Sequence, residues 1–459
     1  MNDGAFGPPA HPLLGILPDF QEDPLRFLAQ CQRFPNVAWL RYGVVGDIFQ
    51  RRWKSSGCLL NDPNDIHHVL SSNSHHYVKT GIPPSEHRVF QKGLLHSDAP
   101  LHRQRRHMLL PCFHPQHFDR FGRIIVQETV RWVEGLPHGE VVEITQAMTQ
   151  LTLRIIGRVL LGRDVSRDAG ALSHAITVAQ HRIAIQYRSL GALLLPLWVP
   201  MPSNCSFSQA LTTLDAWVMG EIQTRRRSGR VQDDVLSHLL DAKTEEGAPL
   251  PDDAIRDELM TLFLAGHETT ANALAWLWYV FTRHPDVETC VHDELWTVLK
   301  GRLPTSADVP QLRYCKSVFQ EVLRVYPPAW ILHLRKALQP DALPSGTHIS
   351  KGTEIWISPF VTQRNPRLFS HPDRFDPHRF HSREGKRNPH AGFLPFGAGP
   401  RRCVGEGFAM LEATLIMATV LTLLKIEALP NHDIRPDPLM TLRMNGAFVV
   451  KAMKRAGGV

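Results

Sequence analysis

The sequence predicts a mainly α-helical protein with small β-sheets, on three observations. An apolar-periodic run from Asp252 to Arg283 reads as one helix of about 30 residues, roughly 45 Å long at the helical rise. Residues 120–165 read as helical too, with Val126, Val130 and Val133 at i, i+4 and i+7 on one face. Strand-like runs are short: Val37–Tyr42, Cys58–Leu60 and Thr353–Ile357. Small β-rich parts are therefore expected near 35–62 and 329–360. No Ser/Gly linker, low-complexity tract or repeat divides the 459 residues, so a single domain over 1–459 is expected.

Composition narrows the class. A hydrophobic content of 43% supports a sizeable core. Seven cysteines (31, 58, 112, 205, 290, 315 and 403) are scattered without CxxC pairing. That pattern favours a reducing compartment and disfavours structural zinc. The N-terminus lacks a charged leader and any apolar run near the ~20 residues of a membrane span. A cytoplasmic chain without a transmembrane anchor is expected. The net charge of +7 is either a solvated basic surface or a patch for an acidic partner. No basic run is interleaved with aromatics, which disfavours nucleic acid. Among the 25 histidines, His75, His76, His378, His381 and His390 form no HExxH-type pair beside a third ligand, so they read as solvated or satisfied.

Taken in order, Asp23-Pro24 opens a helix near 24–33. Gly46–Gly57 connects the first two strands and is polar, and Asp62-Pro63 opens a helix through Val69 and Leu70. Asp98 and Pro100 mark another helix start, which puts His102 and Arg106 on one face. Leu190–Pro202 is apolar and broken by three prolines, as in a buried turn or a substrate access loop. Asp252 or Asp253 is the expected cap of the long helix, and Pro285 stops it. Glu321 and Arg324 are spaced to pair on one helix face. Arg443–Gly446 reads as a hairpin tip.

Two stretches carry chemistry. Mid-helix, Ala265-Gly266-His267-Glu268-Thr269-Thr270 contains a glycine that costs about 1 kcal/mol relative to alanine. Small residues at 265 and 266 would let a flat macrocycle approach. Thr269 can hydrogen-bond backward and open the ladder, and Glu268 can relay protons. The second stretch, Phe393–Glu412, sets Cys403 in a loop with Gly397, Gly399 and Gly405. Glycine permits the tight turn, and Arg401 and Arg402 would favour a thiolate. A lone thiolate suits an axial heme ligand; a buried structural cysteine is the other reading.

Phe396–Gly405 resembles the heme-binding signature of the cytochromes P450, matching at Phe396, Gly399, Arg401, Cys403 and Gly405. Ala265–Thr270 resembles that family's oxygen-activation motif, Glu321/Arg324 its ExxR helix, and Phe375–Phe380 its FxPERF stretch, with His378 replacing the usual acid. The four blocks occur in the family's order, and the resemblance runs from about Pro12 to Phe448. It implies the cytochrome P450 fold, with a long central helix over heme and the Cys loop on the proximal side. It implies heme b (iron protoporphyrin IX) ligated by Cys403, a ligation that favours O–O cleavage. It also implies propionate donors His102, Arg106, Arg335 and Arg401, with His333 competing for the place of Arg335. Ala265, Phe396 and Gly405 would contact the macrocycle. Glu268 and Thr269 would be catalytic, and Glu321, Arg324 and Arg379 a structural brace. Leu262, Phe263, Trp330, Ile331, Leu332 and Met444 would line an apolar pocket, with the hairpin tip dipping into it. Gly46–Gly57 is longer than the family's hairpin there.

The activity implied is a monooxygenase that inserts one oxygen atom of O2 into an apolar molecule by hydroxylation or epoxidation. A terpene, fatty acid, steroid or polyketide suits the pocket equally. No flavin or iron–sulfur signature is present, so a ferredoxin or flavodoxin with its NAD(P)H reductase is the expected electron source. It would dock near Arg401, Arg402, Lys386 and Arg387 on a monomer. A heme-thiolate peroxygenase or isomerase, and a non-catalytic heme sensor, are the alternatives.

Overall fold

The computed structural model describes residues 7–44, 56–189, 191–192, 195–381, 392–429 and 433–455. The helix Asp252–Arg283 runs 32 residues unbroken, about 48 Å. Its N-cap is Pro251, in extended conformation, so neither aspartate is the cap. Asp252 and Asp253 sit in the first turn, where acidic groups favour the helix dipole. Pro285 opens the next helix, Pro285–Leu299, at a position where its missing N–H is no loss.

The 120–165 stretch is two helices, Phe118–Glu134 and Ile144–Leu161, because Gly135, Pro137 and Gly139 interrupt it. A short strand, Glu140–Glu143, lies between them and pairs with Val449–Lys454. Ile144–Leu161 packs along the long helix. Ile156 meets Gly266 there, and the Thr152 hydroxyl donates to the His267 carbonyl at 3.1 Å. The helix Glu406–Leu423 is apolar nearly all round, the signature of a fully enclosed helix. It has the length and composition of a membrane span, with mean hydropathy 1.5, but is 67% buried inside the fold. Phe408, in its first turn, meets Phe121 edge to face at 5.3 Å.

Five strands form the main sheet: β1 (Val37–Arg41), β2 (Ser56–Leu60), β3 (Tyr77–Thr80), β4 (Leu334–Ala337) and β5 (Glu354–Trp356). Their order is β1-β2-β5-β4-β3. β1 and β2 pair antiparallel from Val37↔Leu60 to Arg41↔Ser56. Most of the polar 46–57 connection lies outside the described residues. β3 and β4 place Lys79 opposite Arg335, so the sheet delivers two cations side by side.

Near the C-terminus Pro436–Pro438 pairs with Leu442–Met444, in the register Pro436↔Met444. The tip is therefore 439–441 rather than 443–446. The described part of Leu190–Pro202 is not a buried turn: Leu195, Trp198 and Met201 are exposed, Trp198 by 81%.

Candidate active site

The long helix and the Cys403 loop both line one cavity of about 750 Å³. Leu262, Ala265, Gly266, Glu268 and Thr269 line it from the helix. Phe396, Arg401, Cys403 and Gly405 line it from the loop, and Trp330, Ile331, Leu332 and Arg335 from the chain entering β4. The loop turns through Gly399 at φ +66, where a Cβ would lie 1.9 Å from the Leu70 carbonyl oxygen. Only glycine fits there. The Cys403 amide donates to the Phe396 carbonyl at 2.9 Å, and Gly405 caps the helix that follows.

Burial pushes the Cys403 thiol up, and the Gly405 amide, Arg106 and Arg402 only partly offset it. Arg402 is engaged by Glu406 at 2.5 and 2.6 Å. The flanking arginines therefore do not by themselves make a thiolate. A metal cation at the sulfur would deprotonate it outright.

At one edge of the cavity cations crowd together. His102 is buried and pushed down to about 4 by desolvation and by Arg401, Lys79, Arg106 and Arg335. Arg335 is lowered to about 10 by burial and by Arg401. Lys79 is held well below its ordinary value by burial, then by Arg401 and Arg335. Arg401 donates to the Ser97 carbonyl at 2.8 Å and to Asp98 at 2.9 Å, and Arg106 to the Arg402 carbonyl at 2.5 Å. Such mutual repulsion favours a dianionic group at this edge. Flat apolar walls, a sulfur open to the cavity and this cationic edge together fit heme b. Lys79 was not legible in the sequence, since a lysine in a four-residue strand carries no signal until β4 brings Arg335 beside it. His333 instead donates to Glu86 at 2.7 Å.

The mid-helix motif has a packing reason as well as a chemical one. A Cβ on Gly266 would lie 3.0 Å from Ile156 Cδ1, so helix packing contributes to the choice of glycine. The Thr269 hydroxyl donates to the Ala265 carbonyl at 2.7 Å while the helix stays continuous. Glu268 is buried and heavily engaged. Its Oε1 accepts from the Thr441 hydroxyl at 2.8 Å and from Arg443 Nε at 3.0 Å, and its Oε2 from Gln180. Arg443 also donates to Gln180, so the acid joins three elements.

Two expected pocket residues lie elsewhere. Phe263 points into the core, 5.0 Å from the Trp217 ring, and does not line the cavity. Met444 is buried in its strand, and the register gives the cavity wall to Leu439, Met440 and Thr441 instead.

Beneath the Cys loop, Arg324 is fully buried and grips Glu321 bidentately at 2.7 and 2.8 Å. It also donates to the carbonyls of Gln363 at 2.9 Å and Pro372 at 2.7 Å. Arg379 reaches Glu321 at 3.3 Å. Gln363, which sequence reasoning missed, donates to the Leu323 carbonyl and accepts from the Leu394 amide, both at 2.9 Å. It links this helix to the start of the Cys loop. Among the described residues Glu86, His96 and His333 also converge, their ligand atoms within 4.8 Å of one another, with both histidines hydrogen-bonded to the carboxylate. Glu86 and His96 are ten residues apart, and His333 joins them from 247 residues away, which no local motif could reveal. His390 lies outside the described residues.

A heme-thiolate site under a long helix defines a class of protein, and comparison places this chain within it. The cytochrome P450 family model matches residues 6–451, and the chain belongs to that family. Cyclooctatin synthase of Streptomyces melanosporofaciens is 34% identical over 94% of this chain and 92% of its own. Cyclooctat-9-en-7-ol 5-monooxygenase of the same organism is 31% identical over 92% and 89%. Pentalenene oxygenase of Streptomyces avermitilis is 29% identical over 95% and 94%. The protein is a heme-thiolate monooxygenase, an oxidoreductase that needs O2, heme and a redox partner.

Proposed function

We propose that this chain, as one heme domain, inserts an oxygen atom from O2 into a cyclic terpene. The support is the relatives named for cyclooctatin, cyclooctat-9-en-7-ol and pentalenene, each matched over most of its length, together with a cavity walled by Leu262, Trp330, Ile331 and Leu332. Heme supplies the oxygen-activating chemistry, and the protein supplies orientation and water control. Cys403 would hold the iron. Lys79, His102, Arg106, Arg335 and Arg401 would hold the propionates, while Ala265, Phe396 and Gly405 would contact the ring. Thr269 lines the same cavity. Glu268, on the cavity wall, would relay protons into the cavity, which requires one of its three donor residues to let go. Glu321, Arg324 and Arg379 brace the loop. On this reading Glu268→Gln loses turnover about 10²-fold or more while heme binding stays intact.

The reading carries with it a monomer in the cytoplasm served by an acidic ferredoxin or a flavodoxin. Arg401 is turned inward toward Ser97 and Asp98, and Lys386 and Arg387 lie outside the described residues. Of the four basic residues expected at the docking face, Arg402 is thus a described and exposed one, 57% by side chain. The test supplies a surrogate ferredoxin, its reductase and NADPH, with pentalenene and cyclooctat-9-en-7-ol as trial substrates under isotopically labelled dioxygen. One labelled oxygen atom in the product supports the reading. Product formed from peroxide alone, with none from the electron chain, contradicts it.

A further inference from the structure

Glu86, in the short helix Pro84–Phe90, lies on the cavity wall among apolar neighbours, with Pro83, Phe90, Ala184, Ile331 and Leu334 also lining it. Its carboxylate is 1% exposed. Oε1 accepts from His96 Nε2 at 2.8 Å and from His333 Nε2 at 2.7 Å, and Oε2 accepts from the Tyr187 hydroxyl. Burial pushes Glu86 up, but His333 and His96 outweigh it and hold the carboxyl below the usual carboxylate range. A buried carboxylate is costly unless its acceptors are satisfied. A carboxylate offers about four acceptor positions, and the described residues fill three. The fourth belongs to Oε2 of a side chain that lines the cavity, and a ligand reaches it when Tyr187, also on the cavity wall, shifts from over it.

We propose that Glu86 recognises a hydroxyl group on the substrate, accepting its O–H at the wall of an otherwise apolar pocket. This rests on the oxygenase reading above and narrows its substrate class to terpene alcohols. The chemistry selects an alcohol because the open position on Glu86 is an acceptor and calls for a donor. A carboxylate oxygen only accepts, so both imidazoles contact it through Nε2–H, and the Tyr187 proton is spent on Oε2. An ether, a ketone or a hydrocarbon leaves the fourth position of Glu86 unmet, and a site built to hydrogen-bond an O–H rejects such analogues. Oxygenation then converts an alcohol, O2, two electrons and two protons into a diol and water. The preceding reaction must install the first hydroxyl, by an earlier hydroxylation or by water capture during terpene cyclisation.

Three probes of one skeleton test this on the heme-loaded enzyme: cedrol, cedryl methyl ether and α-cedrene. Binding is read from the change in heme absorption on titration. Cedrol is expected to bind at least about tenfold tighter than the ether and the hydrocarbon, the scale of one hydrogen bond to a charged group. Glu86→Met is expected to shrink that preference below about threefold. The wild-type comparison stands even if the variant does not fold. Equal affinities for the three probes, in enzyme whose reduced, CO-bound spectrum is of the thiolate type, overturn the proposal and leave the oxygenase reading intact. Absence of that spectrum overturns the oxygenase reading itself. Zinc ion alone binding at one equivalent and blocking cedrol would assign the cluster to a metal and overturn the proposal as well.

Discussion

Single residues divide here into those whose burial decides their chemistry and those whose shape decides the backbone. Glu258 belongs to the first group. Burial pushes it up to about 7, against the Leu94 amide and Arg105. The folded value lies above the unfolded value of about 4.3. The stabilisation from protonated Glu258 is therefore complete below about pH 4.3 and is lost as pH rises through about 7. Glu258→Gln should melt close to wild type near pH 5 and gain on it by about pH 8. A Tm difference that stays constant across that range would contradict the assignment. Gly399 belongs to the second group. With φ +66 and the Leu70 carbonyl 1.9 Å from a would-be Cβ, Gly399→Ala must move the Cys loop. It should cost more than about 1 kcal/mol and lower heme content, measured as heme per protein. Full heme loading at wild-type Tm would show that the loop tolerates a side chain there.

At the scale of elements, the brace beneath the Cys loop is the joint on which the site depends. Arg324 is buried between Glu321 and three carbonyls of the chain at 363–374. Arg324→Ala leaves the Glu321 charge buried, with Arg379 at 3.3 Å as its remaining cation. The expected loss is about 3–5 kcal/mol, seen as a lower denaturant midpoint and poor heme retention. A variant as stable as wild type would mean that the cluster is not what holds the loop. The pairing of Glu321 with Arg324 was legible because it is local, three residues apart on one helix. Gln363, which ties the same helix to the amide of Leu394, was not, because its two partners lie about 40 and 31 residues away. The long helix was legible in extent because apolar periodicity persists through it. Its cap was misplaced because aspartate serves equally at the cap and in the first turn, and Pro251 takes the extended backbone of the cap.

Across the whole molecule, periodicity gave the extent of the long helix, and the resemblance of four motif blocks to the cytochromes P450 implied its place over the Cys loop. What they left out comes from contacts between distant segments. Lys79 joins the cationic edge only because β3 pairs with β4. Glu268 meets Arg443 across 175 residues, and the Glu86 cluster assembles from residues 86, 96, 187 and 333. The hairpin turn falls at 439–441 and leaves Met444 within a strand, which moves the cavity wall from Met444 to Leu439, Met440 and Thr441. Every part of the account still depends on Cys403 as the ligand of heme iron. The absorption spectrum of the reduced, CO-bound protein, wild type beside Cys403→Ser, tests that claim most directly. The account predicts a thiolate-type Soret band in the wild type and its loss in the variant even where heme is retained. The same thiolate-type band in both proteins would contradict it.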